Sequence, residues 1–173
     1  MNGAPYPRRR DTLRLRGYDY AEPGAYFVTI RCQGRACRFG TILDGEMAAN
    51  AAGAMVEEAW RELPGVHPAI ELDAFVVMPN HVHGVLMLTS SERATKGTSL
   101  SSVIQRFKSV TTVRYGRGVK ALGWPPFDGR LRRRGFYEHV IRDERDLESI
   151  RDYVAGNPAQ WARDSENPAA RRS

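Results

Sequence analysis

The chain has 173 residues, enough for one domain with a single sizeable core. Its apolar content of 42% and charged content of 27% are those of a globular protein, and no run of eighteen apolar residues exists to cross a membrane. The net charge of +6 and pI of about 9.7 point to a polyanionic partner, and the N-terminal arginines precede no apolar segment of the kind a secretory signal needs, which predicts a cytoplasmic protein.

Residues 1–24 are polar, hold Pro5, Pro7 and Pro23, and carry Arg8, Arg9, Arg10, Arg14 and Arg16, so they read as a basic arm. Ala25 to Cys32 is an apolar run and predicts a first strand. Cys32 and Cys37 read as reduced thiols, although their spacing loosely fits a zinc knuckle. Glu46 to Leu63 reads as a helix, because Ala52, Met55, Ala59 and Leu63 share one stripe and Pro64-Gly65 stops it. Ala69 to Met78 and His81 to Thr89 predict two strands joined by a short Pro-Asn turn, hence an antiparallel hairpin. The second of these is apolar on both sides, as a central strand is.

Ser90 to Thr98 reads as a polar loop. Ser99 caps a helix with the apolar stripe Leu100, Val103, Ile104, Phe107 and Val110. Its other face carries Gln105, Arg106, Lys108, Ser109 and Thr112, a surface suited to phosphates. Gly116 to Gly135 is rich in Gly, Pro and Arg and predicts a mobile loop holding a second basic cluster, Arg130, Arg132, Arg133 and Arg134. Phe136 to Ile141 predicts a fourth strand. Asp143 caps a last helix that Pro158 ends. The tail 162–173 is polar and is expected to fray. The domain thus runs from 25 to 161. Its element order predicts an α+β fold, an antiparallel sheet of the split βαβ type with helices packed on one face.

The chemistry concentrates in Asn80-His81-Val82-His83. Side chains alternate along a strand, so both imidazoles point to one face, ~7 Å apart along the chain. Two imidazoles side by side in an apolar sheet make half of a divalent-metal site. On the last helix Tyr153 and Asn157 are four residues apart and share a face. If that helix packs beside the histidine strand, His81, His83 and Asn157 can hold one ion with Tyr153 a turn away. Such a set leaves open positions for phosphate oxygens, which suits Mg²⁺ or Mn²⁺ better than a closed zinc site. Plainer readings stand beside this: satisfied core histidines, a half-buried helix tyrosine, an Asn that only caps the helix, and Tyr137 with His139 as a rival pair.

These stretches resemble a known group. His-hydrophobic-His is the signature of the HUH single-strand DNA endonucleases, and Val76 to Gly84 looks like their single-tyrosine transposases. The stretches Gly17-Tyr18-Asp19-Tyr20 through Phe27-Val28-Thr29-Ile30, Phe107-Lys108-Ser109, and Phe136-Tyr137-Glu138-His139-Val140-Ile141-Arg142 running on to Tyr153 and Asn157-Pro158 narrow the resemblance. Together they are similar to tyrosine transposases associated with repetitive extragenic palindromes, over about residues 14 to 161. The resemblance implies a ferredoxin-like sheet with a C-terminal catalytic helix. It implies Mg²⁺- or Mn²⁺-dependent cutting and rejoining of single-stranded hairpin DNA through a 5′-phosphotyrosine. His81, His83 and Asn157 match the metal ligands and Tyr153 the nucleophile. Arg14, Arg16, Arg106, Lys108, Arg130, Arg132, Arg133 and Arg134 are the expected DNA contacts of a monomer or homodimer that joins the nucleoid when DNA-bound. Relatives often carry Trp-Gln where this chain has Phe127-Asp128. The alternatives are a DNA-binding protein of the same fold that no longer transposes, and a zinc-stabilised module using Cys32, Cys37, His81 and His83.

Overall fold

In the computed structural model, residues 23–89 and 98–170 are described. The first strand, β1 (Gly24–Arg31), is buried on both sides from Tyr26 to Ile30. Tyr26, Val28 and Ile30 turn to one face of the sheet, and Phe27, Thr29 and Arg31 to the other. β4 (Ile70–Met78) and β5 (His81–Leu88) form the expected hairpin. With β6 (Tyr137–Ile141) they complete a four-stranded antiparallel sheet in the order β4-β5-β1-β6. β5 and β1 are therefore the central pair. This is the ferredoxin-like arrangement, in which each crossover helix carries the chain past one intervening strand.

The larger core lies on one face. There α1 (Ala51–Arg61) and α3 (Leu100–Leu122) pack Val56, Trp60, Ile104 and Phe107 onto Val28, Ile30, Val82 and Leu86. Trp60 sits directly on β5. A Cβ at position 84 would come within 2.4 Å of its ring, so only glycine lets the indole approach that strand. The second core lies on the opposite face, where α4 (Glu144–Gly156) packs Leu147, Ile150 and Val154 against Phe27, Val85 and Ile141. The expectation that all helices share one face is thus corrected. The two crossover helices do, but both faces of β5 are apolar, and its second face needs a cover of its own.

Three boundaries differ from the sequence reading. A small hairpin, β2 (Gly40–Leu43) with β3 (Glu46–Ala49), occupies what was expected to be the start of the first helix. Its turn residues Asp44 and Gly45 both have positive φ, the Asp-Gly type I′ geometry that closes two-residue hairpins. Asn50 then caps α1, its side chain accepting from the Gly53 N–H. A single-turn helix, α2 (Leu63–Val66), follows. α3 runs on to Leu122 instead of breaking at Gly116, because Gly118 makes room for Trp124: a Cβ there would lie 2.2 Å from the indole. The tail does not fray through Ala170. After a 3₁₀ segment, Pro158–Arg163, the chain returns to the sheet, where Arg35 Nη2 donates to the Asn167 carbonyl oxygen at 2.7 Å.

Candidate active site

His81 and His83 stand on the α4 face of β5, opposite Arg31 and Thr29 of β1. Both are buried, and their Nε2 atoms are 3.0 Å apart. The outer ring nitrogens are anchored: His81 Nδ1 lies 2.8 Å from Asn80 Oδ1, and His83 Nδ1 lies 2.8 Å from Thr29 Oγ1. Burial, the neighbouring ring and the Arg31 charge push His81 well below the ordinary imidazole range, and burial above all takes His83 down to about 3. Both rings are therefore neutral at pH 7, the state a cation requires.

α4 places Tyr153 over this pair. The Tyr153 ring centroid is 5.3 Å from that of His83, and Phe27 lies edge-on to Tyr153 at 6.0 Å. Tyr153 is hydrogen-bonded to the Asn157 side chain one turn on, which favours the phenolate, although burial is the larger effect and raises the phenol overall. Asn157 is 4% exposed, and its Oδ1 is buried with no hydrogen-bond partner among the described residues. A buried carbonyl oxygen left unpaired is costly, so this atom is suited to a ligand. Two facing imidazole nitrogens and an orphan amide oxygen are donors that a divalent cation accepts, the amide oxygen being the one suited to Mg²⁺ or Mn²⁺. Among the described residues no three His, Cys, Asp or Glu side chains form a metal cluster, so such an ion would rest on two imidazoles and an amide. Cys32 is buried in the core on the other face and Cys37 is exposed, so the Cys-Cys-His-His zinc alternative does not assemble.

The helix is moored by a two-pronged ion pair. Arg151 Nε and Nη2 donate to Asp73 Oδ1 and Oδ2 at 2.9 and 2.7 Å, beside the irregularity of β4 between Leu72 and Phe75. Hydrogen bonding from Arg151 holds the Asp73 carboxyl below its usual range, although burial opposes this. A carboxyl lowered by folding stabilises the fold fully above its ordinary value of 3.8 and loses that contribution as pH falls through the lowered one. Asp73→Asn should therefore lower Tm at pH 7 by no more than about 2–4 °C, since Arg151 is well exposed and the pair is screened. The gap between the two melting curves should close below the ordinary carboxylate range. A gap that is unchanged by acid would show that the pair does not moor α4.

Two further charged groups join the site that the sequence reading did not single out. Arg31 acts electrostatically on His81, His83, Tyr153 and Asp164, and its Nε lies 3.1 Å from Glu166 Oε1 without an aligned hydrogen bond. Asp164 Oδ2 lies 3.7 Å from His81 Nε2, and burial raises its carboxyl. Arg31 was within reach of sequence reasoning, being in phase with Thr29 on β1. Asp164 was not, because it lies in the tail read as frayed. Tyr137 shares the site's face, with its ring 6.3 Å from Phe27. His139 is engaged by Asp146 at 2.9 Å.

The expected DNA contacts divide. Arg14 and Arg16 lie outside the described residues. Lys108, Arg130, Arg132, Arg133 and Arg134 line one cleft of about 420 Å³ with Thr112 and the rest of the 129–135 loop. The Lys108 ammonium donates to the carbonyl oxygens of Arg133 and Gly135 at 2.8 and 3.0 Å and so shapes the loop. Arg132 is 4% exposed, with its guanidinium between the rings of Phe39 and Phe107, 5.2 and 5.3 Å from their centroids. It supports the floor of the cleft from beneath and leaves little of its charge exposed for DNA. Arg106 is exposed on another side of α3, where its charge acts on His67.

Among solved structures, the chain is similar to a REP-associated tyrosine transposase bound to a REP hairpin, with a TM-score of 0.56, 22% identity, and coverage of 91% of this chain and 74% of that one. It is also similar to a protein of Deinococcus radiodurans R1 classed as a transposase, with a TM-score of 0.52, 19% identity, and coverage of 83% of this chain and 96% of that one. The fold is therefore that of the tyrosine transposases. The chain belongs to the same family as an uncharacterized protein of Haemophilus influenzae strain Rd, to which it is 34% identical over 171 residues, 90% of this chain and 91% of that one. No family model matches the chain.

Proposed function

We propose that this protein is a tyrosine transposase of the HUH type, which cuts and rejoins single-stranded DNA at hairpin-forming palindromes. One arrangement supports the reading: a facing pair of neutral imidazoles has the Tyr153 ring beside it, and Asn157, hydrogen-bonded to that tyrosine, keeps a buried amide oxygen without a partner among the described residues. Satisfied core histidines do not require such an arrangement. Mg²⁺ or Mn²⁺, held by His81, His83 and Asn157, would supply polarisation of the scissile phosphate.

The chain's own groups do the rest. The Tyr153 oxygen bonds to phosphorus, and the bond to the 3′ oxygen breaks. That oxygen leaves as a hydroxyl, taking up from solvent one proton in exchange for the one the phenol releases to it. Asn157 donates to the phenol oxygen and steadies its developing charge. Arg31 sits where a cation can offset charge on the phosphate oxygens. Phe27, stacked on His83 at 5.5 Å, keeps the floor of the site dry. The phosphotyrosine ester conserves the energy of the cut bond, so the reverse step rejoins DNA without ATP.

The deciding experiment incubates the protein with a labelled single-stranded hairpin and Mg²⁺ or Mn²⁺. It should yield a denaturant-resistant adduct on the 5′-phosphate side of the cut. Binding without any adduct would leave a DNA-binding protein of the same fold that no longer transposes. The basic cleft should contribute through phosphate contacts, each worth a slope of ~0.7 in log affinity against log salt. Arg130, Arg133 and Arg134 changed together to Ala should flatten that slope by roughly 2. An unchanged slope would make the cleft a solvated surface only.

A further inference from the structure

We propose that Asn80 is the positioning residue that decides which nitrogen of His81 is free to bind a cation. The proposal rests on the cation reading of the site, but the hydrogen-bond pattern behind it stands without an ion. An amide side chain has one oxygen that accepts and one NH₂ group that donates. Asn80 is 1% exposed, so water does not supply its partners. Its Nδ2 lies 2.9 Å from the Arg35 carbonyl oxygen and 2.8 Å from the Glu166 carbonyl oxygen. Carbonyl oxygens only accept, so the amide nitrogen has to be on that side and the group has one orientation.

Asn80 Oδ1 therefore faces His81 Nδ1, at 2.8 Å, as an acceptor. The ring nitrogen there must carry the proton. A neutral imidazole has one N–H, so His81 Nε2 keeps its lone pair and directs it into the site. An imidazole ligand is commonly fixed in this way by a partner on its other nitrogen. The partner of His83 is of a different kind. The Thr29 hydroxyl both donates and accepts, so it imposes neither form. Without an ion, His83 Nε2–H donates across the 3.0 Å gap to the His81 lone pair, and Thr29 donates to His83 Nδ1. To offer Nε2 to a cation as well, His83 would have to carry its proton on Nδ1, where the same hydroxyl can accept it. His81 is thus the fixed ligand and His83 the adaptable one.

A plainer role for Asn80 is a staple, since it ties the 33–35 turn to the returning C-terminal segment. Two substitutions separate the roles. Asn80→Ala removes both. Asn80→Asp loses the donors of the staple but keeps an oxygen that accepts from His81 Nδ1–H.

The test reads the ring protons directly, by long-range ¹H–¹⁵N correlation of the metal-free protein at pH 7.5, and then titrates Mn²⁺ by calorimetry. In the wild type, His81 should carry its proton on Nδ1 and His83 on Nε2. Asn80→Ala should release His81 from that form and weaken Mn²⁺ binding by about 10–100-fold. Asn80→Asp should retain the form and bind Mn²⁺ within a few-fold of wild type. A wild-type His81 protonated on Nε2 overturns the proposal, and this outcome needs no variant to fold. So does a folded Asn80→Asp as weak as Asn80→Ala, which would leave only the staple. A wild type with Nδ1–H that binds no Mn²⁺ would support the tautomer assignment and overturn the cation reading instead.

Discussion

Tyr153→Phe should abolish the denaturant-resistant DNA adduct, by roughly 10³-fold or more, while fold, Mn²⁺ binding and hairpin binding persist. The change removes one oxygen and keeps the ring, so the edge contacts with Phe27 and His83 survive. The donor on Asn157 loses its acceptor, at the cost of one partly buried hydrogen bond, about 1 kcal/mol. The phenol has no substitute. Asn157 is an amide, and the two imidazoles face each other. The control is Tyr137→Phe. Tyr137 lies on the same face but on β6, without the one-turn relation to the orphan oxygen of Asn157. An adduct that survives Tyr153→Phe and disappears with Tyr137→Phe would move the nucleophile to the strand.

Much of this site was legible because period and spacing determined it. The pair His81 and His83 follows from strand alternation, and Tyr153 with Asn157 from the helical repeat. The Ser99 and Asp143 caps were read correctly because a capping side chain is a local matter. What failed was non-local. The Gly-rich stretch from Gly116 reads as a loop until Trp124 is seen against Gly118. The helical stripe of Ala52, Met55, Ala59 and Leu63 hides the short strands before it, whose signal is the local Asp44-Gly45 turn. Arg132 counted as one more surface cation, since nothing in Arg-Leu-Arg-Arg-Arg says which residue enters the core. It is held by Phe39 and Phe107, nearly a hundred positions away and on the neighbouring helix. The tail reads as solvated because it is polar, yet its contacts are polar: backbone carbonyls of Glu166 and Asn167 receive Arg35 and Asn80. Composition cannot separate a solvated polar segment from one paired with a buried amide.

His81→Ala and His83→Ala should each abolish cleavage and leave hairpin binding nearly intact, because cleavage rests on polarising one phosphate and binding on many basic contacts. Both rings are buried, so loss of activity alone would be ambiguous. The Mn²⁺ response of thermal stability resolves it. A ligand that binds only the folded chain stabilises it by about 2.7 kcal/mol at a hundred times its Kd, which for a domain of this size raises Tm by roughly 5–10 °C. Wild-type protein should show that rise. Either histidine variant should melt as a folded protein, at a temperature that Mn²⁺ no longer moves. Asn157→Ala should keep a reduced response, since it removes one donor of the three and leaves both imidazoles in place. The sharpest comparison is between the two histidines. Their Nε2 atoms face each other across 3.0 Å, so removing one ring takes away the partner of the other. Neither alone has the second nitrogen that a shared ion needs. If the variants fold, keep the Mn²⁺ shift and still form the adduct, the pair is core packing and the catalytic assignment fails. If they fold and lose both together, the pair is the cation site.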